Sequence, residues 1–294
     1  MTAENTSEST GAQVADPRVC QLGEGLFWHP ERDQLFWFDI TGHRLLSVED
    51  GAPREWPMGE CASAAGWFDR DHLLIATETG LYRFALADGR RELILPLEAD
   101  RPETRSNDGR TDPMGGFWIG TMGKAAEPQA GAIYRLYRGE LRTLYDAVSI
   151  PNAICFSPDG RRGYWADTPT GIIMAQALDA EGWPEGEPEV FADLRTEGLR
   201  PDGAVTDEDG ALWNAQWGAA RVARYLPDGT FDRAIAVGGQ HSSCPVFAGP
   251  GLDRLYVTTA CQGISDPDAA QGLLYEADPG VVGRADPPLR IEAD

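Results

Sequence analysis

The sequence predicts an all-β protein built as a six-bladed β-propeller, and three observations lead to this prediction. Helix signals are almost absent, because 34 glycines and 21 prolines recur along the 294 residues and no long stretch keeps apolar residues at a helical period. A strand, a tight turn and a second strand recur instead. Six such units follow one another at intervals of about 40 to 50 residues, which is the spacing of propeller blades.

The second strand of each unit is aromatic or aliphatic and follows its turn directly. The six second strands read LFWFDI, LLIATE, FWIGTM, GYWADT, LWNAQW and LYVTTA, and they align on Trp37, Ile75, Trp118, Trp165, Trp213 and Tyr256. Most units continue into a third strand, as in GLYRFALADG and GAIYRLYRG. A two-sheet sandwich also contains many short strands, but it would not explain six similar units at this spacing.

The chain divides into a short tail and one domain. Residues 1–16 are polar, and we expect them to form a disordered N-terminal tail. Residues 17–294 are expected to form a single six-bladed propeller that carries the catalytic site. A propeller ring usually closes with one blade that takes strands from both chain ends, and residues 17–24 are the expected N-terminal contribution.

The charge balance excludes several classes of partner. There are 25 Lys and Arg against 47 Asp and Glu, a net charge of −22 with no basic cluster, which opposes binding to nucleic acid or to an anionic membrane. No apolar run approaches the roughly 20 residues that span a bilayer. The five scattered cysteines form no C-x-x-C pair and are expected to be reduced thiols. We therefore expect a cytoplasmic protein with a small-molecule partner; the oligomeric state is not readable.

Five polar residues lie where neither a turn nor a core requires them: Glu24, Arg105, Asn107, Asn152 and Asp202. They stand just before the first strand of their units, and the innermost strands of a propeller converge on a central channel, so these side chains are expected to meet. The alternative for each is local: a turn residue after proline for Asn152 and Asp202, an Asx turn for Asn107 and a solvated arginine for Arg105. Recurrence of the same register in several units favours the common channel.

Glu24, Asn152 and Asp202 would place two carboxylates and one amide oxygen around one point. An all-oxygen set suits a hard divalent cation, and Ca, Mg, Mn, Zn and Fe(II) all remain candidates. The four histidines have no metal-motif spacing and are expected in turns or at the surface. The tryptophans, Trp217 among them, are expected to pack between blades rather than to contact a ligand.

Four segments carry a family resemblance: LGEGLFWHPERDQLFWFDI, RSNDGRTDPMGGFWIGTM, IPNAICFSPDG and RPDGAVTDEDGALWNAQWG. In order and spacing they resemble the diagnostic segments of the senescence marker protein, gluconolactonase and luciferin-regenerating enzyme family, from about residue 19 to about residue 280. The resemblance implies a six-bladed propeller with a divalent metal in its central channel, bound by Glu24, Asn152 and Asp202. It also implies that Arg105 and Asn107 hold the substrate and that Asp202 is the proposed base, while activation of the water by the metal stays open as the alternative.

The reaction implied is metal-dependent hydrolysis of a sugar lactone to the aldonic acid, with the metal as Lewis acid on the carbonyl. Two alternatives stay open: an esterase or phosphotriesterase on the same scaffold, and a non-enzymatic calcium-binding propeller. The chain departs from the family in one segment. Some members carry an acidic residue shortly after Gly-Thr-Met that contacts substrate hydroxyls, whereas here Met122 is followed by Gly123, Lys124 and Ala125, and Glu127 is the nearest acid. The identity of the sugar therefore stays open.

Overall fold

Six four-stranded antiparallel sheets make up the computed structural model of the chain, which describes residues 11–291. The prediction of an all-β, six-bladed propeller is confirmed. Helical structure in these residues is limited to two single 3-10 turns, Thr168–Thr170 and Arg195–Glu197.

Blades 1 to 5 each take four consecutive strands, from the channel outwards. Blade 1 comprises β2 (Gly23–His29), β3 (Gln34–Asp39), β4 (Arg44–Glu49) and β5 (Ala52–Pro57). Blade 2 comprises β6 (Ala62–Asp69), β7 (His72–Thr77), β8 (Gly80–Ala85) and β9 (Arg91–Pro96). Blade 3 comprises β10 (Thr104–Thr111), β11 (Phe117–Gly123), β12 (Gly131–Tyr137) and β13 (Glu140–Val148).

The remaining blades follow the same order, except at the ring closure. Blade 4 comprises β14 (Pro151–Phe156), β15 (Arg162–Asp167), β16 (Ile172–Ala177) and β17 (Glu189–Asp193). Blade 5 comprises β18 (Pro201–Thr206), β19 (Leu212–Gln216), β20 (Arg221–Tyr225) and β21 (Phe231–Ala236). Blade 6 comprises β22 (His241–Ala248), β23 (Arg254–Ala260), β24 (Leu274–Ala277) and, as its outermost strand, β1 (Gln13–Asp16).

The strand that closes the ring comes earlier in the chain than the sequence suggested. Strand β1 pairs with β24, with Gln13 opposite Glu276 and Val14 opposite Tyr275. The expectation of a disordered tail through residue 16 is therefore wrong for Gln13–Asp16, while residues 1–10 lie outside the described part. The four residues QVAD have little strand signal of their own, and they are ordered by the free edge that β24 offers.

Aromatic side chains fill the space between neighbouring blades. Trp118 of blade 3 meets Phe156 of blade 4 edge-to-face, with ring centroids 5.3 Å apart. Trp213 of blade 5 meets Phe247 of blade 6 in the same way at 5.9 Å. Both tryptophans are fully buried. The packing role predicted for these second-strand tryptophans is confirmed, and it fixes the angle between successive blades.

A C-terminal segment that the sequence analysis did not single out crosses the far ends of the innermost strands. Leu289 N donates to Trp67 O at the end of β6, at 2.8 Å. The Arg110 guanidinium near the end of β10 forms an ion pair with Asp286 at 2.8 Å. These contacts hold the segment at the end of the channel away from the residues that begin the innermost strands.

A fully buried ion pair stabilises the turn between β10 and β11. The Asp112 carboxylate accepts hydrogen bonds from the backbone N–H groups of Met114 and Gly116, at 2.8 and 3.0 Å. Its other oxygen accepts from Arg135 Nε at 2.7 Å, and both side chains are wholly shielded from solvent. The carboxylate therefore ties the turn to the third strand of blade 3.

We expect Asp112→Ala to lower the free energy of unfolding by about 3 kcal/mol, because it leaves the Arg135 guanidinium buried without its counter-charge. Chemical denaturation measures this change. Asp159→Ala, at the exposed turn of the next blade, serves as the control. A loss below about 1 kcal/mol in Asp112→Ala would contradict the argument.

Two further sequence expectations concern the thiols and the membrane. All five cysteines are free, which confirms the prediction of reduced thiols. Within residues 11–291 the structure contains no helix of sufficient length and apolarity to cross a lipid bilayer.

Candidate active site in the central channel

The second residues of the six innermost strands lie at equivalent positions around the channel. These residues are Glu24, Ser63, Arg105, Asn152, Asp202 and Ser242. The sequence analysis placed the predicted residues just before these strands, whereas they lie inside them. The pairing register between the first and second strands of a blade shifts immediately beyond this position in β2, β14 and β22. In the other three innermost strands it shifts close to this position. Such bulges re-aim side chains, and here they occur where the polar side chains meet the channel.

The glycine after Glu24 is required by the local backbone. Gly25 has a φ of +55°, and a Cβ at this position would lie 2.0 Å from the carbonyl oxygen of Ser63 on the adjacent blade. Only glycine fits so close an approach in the left-handed region. The carboxylate between two glycines, noticed in the sequence, is thus explained by close packing of β2 against β6.

All five predicted side chains line one cavity of about 170 Å³ at the end of the channel where the innermost strands begin. The cavity is also lined by Leu22, Met122, Ala126, Ile150, Thr168, Arg200, Trp217 and Gln262. The convergence expected from the sequence is therefore observed as shared lining of one cavity.

A chain of hydrogen bonds links three blades beneath this cavity. Arg105 Nη1 donates to Asn107 Oδ1 at 2.7 Å, and Asn107 Nδ2 donates to Asn152 Oδ1 at 3.1 Å. Asn152 Nδ2 donates to Thr168 Oγ1 at 2.8 Å, and Thr168 in turn donates to the carbonyl oxygen of Pro201 at 2.7 Å. Both ends of the Asn107 amide are engaged, so this side chain fixes Arg105 and Asn152. Its contact with substrate stays a prediction.

The two carboxylates of the site are buried without a cationic partner. Glu24 and Asp202 are 8% and 4% exposed, and neither forms an ion pair with any residue between 11 and 291. Burial, reinforced by the nearby Asp108 carboxylate, raises the pKa of Glu24 to about 8. Burial and the Glu24 charge raise the pKa of Asp202 well above its usual value. Burial likewise lowers the pKa of Arg105.

The donor chemistry fits a divalent cation. Buried carboxylates that lack a partner are costly unless a cation or a proton neutralises them. Glu24 and Asp202, together with the amide oxygen of Asn152, are hard oxygen donors that line the same cavity. Within residues 11–291, no group of three or more His, Cys, Asp or Glu is positioned to hold a metal, so any such site depends on the amide.

The raised pKa of Glu24 predicts how the stability of the metal-free protein depends on pH. Between about pH 4.5 and about pH 8 the folded carboxyl keeps a proton that the unfolded one has lost. The free energy of unfolding therefore falls as pH rises through this window. We expect Glu24→Gln to reduce the dependence of the free energy of unfolding on pH in this window. The exposed Glu187→Gln variant should leave this dependence unchanged. Denaturation of chelator-treated protein at several pH values tests this; identical slopes in all three proteins would refute the assignment.

The segment after Met122 supplies no acid to the cavity. Glu127 Oε2 accepts a hydrogen bond from the backbone N–H of Ala125 at 3.1 Å, and Lys124 forms an ion pair with Glu78. Met122 and Ala126 are the cavity-lining residues from this segment. The wall contributed by blade 3 above Arg105 is therefore apolar.

Sequence reasoning missed the cavity residues Arg200, Trp217 and Gln262. Arg200 comes one residue before β18, Trp217 one residue after β19, and Gln262 two residues after β23. In an antiparallel blade the start of the first strand and the end of the second lie at the same end. For Arg200 a signal was available in the sequence. It stands one residue before the first strand of its blade, as the cavity residues Leu22 and Ile150 do in their own blades.

The fold and the site together define a six-bladed β-propeller with a buried polar ligand site in its central channel. Similarity to known proteins identifies the family. The chain belongs to the SMP-30/gluconolactonase/LRE-like family, whose family model matches residues 22–261.

Three similar proteins illustrate the relationship. The chain is 40% identical over 264 residues to an L-arabinolactonase of Azospirillum brasilense, covering 86% of this chain and 85% of that protein. It is 33% identical over 278 residues to the pentonolactonase XacC of Haloferax volcanii, covering 90% and 93%. Among solved structures, a regucalcin of Agrobacterium tumefaciens described as a calcium-binding protein superposes with a TM-score of 0.91 at 39% identity, covering 96% and 97%.

Proposed function

We propose that this protein hydrolyses a sugar lactone to the corresponding aldonic acid. The observation that carries the proposal is the convergence of two unpaired buried carboxylates, the Asn152 amide and the Arg105 guanidinium on one open cavity. At about 170 Å³ this cavity is smaller than the roughly 300–1,000 Å³ of pockets for drug-sized ligands, which suits a single sugar ring. Relatives named as an arabinolactonase and a pentonolactonase support the same substrate class.

Glu24, Asn152 and Asp202 would hold one divalent cation, which is Ca, Mg, Mn, Zn or Fe(II). When bound, such a cation supplies Lewis-acid polarisation of the lactone carbonyl. The two carboxylates would then be ionised, because the cation offsets the burial that raises their pKa values. The similarity to a regucalcin described as calcium-binding supports a role for a divalent cation.

Arg105 would orient the ester. Its Nη1 already donates to Asn107 Oδ1 and to the carbonyl oxygen of Ser106, which leaves the donors on Nη2 and Nε for the ring or carbonyl oxygen of the lactone. The guanidinium is held by these two bonds before substrate arrives, so little rotational freedom is lost on binding.

Asp202 would accept the proton of the attacking water. The water oxygen bonds to the carbonyl carbon, the bond from that carbon to the ring oxygen breaks, and the ring oxygen leaves as a hydroxyl after taking a proton. Asp202 carries the proton between the two oxygens. The product is the open-chain aldonic acid, whose ionisation releases one proton per turnover.

A continuous acid-release assay on a panel of aldonolactones tests the proposal. We expect acceleration of at least one lactone over spontaneous ring opening, lost on chelation and restored by a divalent metal. Aryl esters and a phosphotriester in the same assay distinguish the lactonase from an esterase or phosphotriesterase. Turnover of these compounds alone would overturn the lactone assignment.

A calcium-binding propeller without enzymatic activity is the second candidate, favoured by the similarity to the regucalcin. It predicts stoichiometric calcium binding with no turnover of any lactone, ester or phosphotriester. Calorimetric calcium titration beside the acid-release assay separates the two candidates. A cytoplasmic location stays a prediction.

A further inference from the structure

Two side chains on one side of the cavity have no part in the hydrolysis described above. Arg200 and Trp217 both line the cavity and both come from blade 5. They are neighbours, because the backbone N–H of Trp217 donates to the carbonyl oxygen of Arg200 at 3.0 Å. We call this pair the blade-5 wall.

Trp217 is fixed by a stacked histidine. The rings of Trp217 and His241 lie 4.2 Å apart with an interplanar angle of 6°. His241 is 9% exposed, in contrast to the surface role expected from sequence, and burial together with the Arg200 charge lowers its pKa. A neutral imidazole thus covers one face of the indole. The half-buried indole also packs against the hydrophobic cluster that contains Leu22 and Ala260, and it lines the cavity.

The guanidinium of Arg200 has free donors. Among residues 11–291 it has no hydrogen-bond or ion-pair partner, and the side chain is exposed at the cavity. Arg105, in contrast, is held by two hydrogen bonds from Nη1. Arg200 is therefore able to donate to oxygens of a ligand at the mouth of the cavity.

The part of the cavity wall that the segment after Met122 in blade 3 contributes is apolar. Met122 and Ala126 face the cavity there, and the nearest acid, Glu127, is bonded to a backbone N–H instead. Hydroxyl groups directed at that wall find no polar side chain. The hydroxyl-bearing part of a substrate is better matched by the blade-5 wall.

We propose that Trp217 and Arg200 are specificity-determining residues that contact the substrate. The indole packs on the apolar C–H face of the lactone ring, and the guanidinium donates to hydroxyl oxygens of the sugar lactone. The blade-5 wall thereby selects hydroxylated sugar lactones over unsubstituted lactones. This inference rests on the proposed lactonase function.

The test compares two ligands, L-arabinono-1,4-lactone as substrate and γ-butyrolactone as competing ligand, so that the affinity of each is measured even without hydrolysis of the second. The variants are Trp217→Ala, Trp217→Phe and Arg200→Met. The control is Trp183→Ala, which removes another half-buried indole, one that packs on Tyr137 and arginine side chains away from the cavity. Thermal unfolding is recorded for each protein.

We expect Trp217→Ala to raise KM for the arabinono-lactone about tenfold with little change in kcat, as for loss of an aromatic anchor. Trp217→Phe restores most of the affinity. Arg200→Met raises KM for the arabinono-lactone severalfold but leaves the affinity for γ-butyrolactone unchanged, since that ligand has no hydroxyl group. Trp183→Ala changes neither constant.

Three outcomes would overturn the inference. The first is an unchanged KM in Trp217→Ala while the unmodified protein turns over lactones, which leaves the proposed function standing. The second is a fall in kcat that parallels a lower unfolding temperature, which indicates packing alone. The third is an equal effect of Arg200→Met on both ligands. Absence of lactone turnover by the unmodified protein overturns the proposed function and this inference together.

Discussion

Replacing Asp202 with alanine is expected to reduce lactone turnover at least about 10³-fold while the propeller stays folded. Asp202 is the residue in which the two proposed roles, cation ligand and proton acceptor, coincide. The carboxylate makes no ion pair within residues 11–291, and its backbone is held independently, because Asn214 Nδ2 donates to the Asp202 carbonyl oxygen at 2.8 Å. Removing the side chain is therefore expected to reduce turnover without unfolding the protein. Acid release measures turnover, and thermal unfolding measures the stability of the fold.

Two further variants complete this test. Asp202→Asn keeps the shape but removes the charge and the basicity, so we expect a loss of similar size. Asp228→Ala, in an exposed turn of the same blade, should leave turnover unchanged. Turnover within tenfold of the unmodified protein in Asp202→Ala would contradict both roles.

Arg105→Met is expected to reduce kcat/KM about 10²- to 10³-fold, as for loss of a buried donor to a developing negative charge. Arg105 is 8% exposed and its guanidinium is already oriented by Asn107, whereas methionine at this position has no hydrogen-bond donor. Bound metal should be unchanged, because Arg105 is a cation and does not ligate one. Steady-state kinetics and elemental analysis of the same sample measure the two quantities.

The control for this variant is Arg161→Met, which removes an exposed arginine from the turn of blade 4. We expect no change in kcat/KM there. Loss of the bound metal in Arg105→Met would count against the assignment, since it would mean that the guanidinium supports the ligand set rather than the substrate.

Much of the fold was predictable because each blade repeats the same local signals. A turn followed at once by an aromatic or aliphatic strand is visible in six places, and Trp118 and Trp213 pack as that pattern predicts. The sequence did not indicate which N-terminal residues pair with β24. This pairing depends on an edge formed about 260 residues later in the chain, and the sequence of Gln13–Asp16 contains little of that information.

The candidate site likewise has residues that could be predicted from the sequence and features that could not. Glu24, Asn152 and Asp202 were recognisable because polar residues recur at one register in strands that are otherwise apolar. The bulges that follow them were not, since a bulge depends on the pairing of two strands. Trp217 was assigned to packing together with the other tryptophans, because such residues more often pack between blades than contact a ligand. Its contact with His241, 24 residues further along the chain, depends on the pairing of strands in the folded ring.

The most direct test of the central claim measures metal binding and turnover on the same sample. Protein freed of metal by chelation is titrated with each divalent cation, while acid release from L-arabinono-1,4-lactone is recorded in parallel. We expect one cation per chain, turnover that rises in proportion to occupancy, and loss of both in Glu24→Gln. Full turnover in verified metal-free protein, or cation binding that is unaffected in Glu24→Gln, would contradict the account.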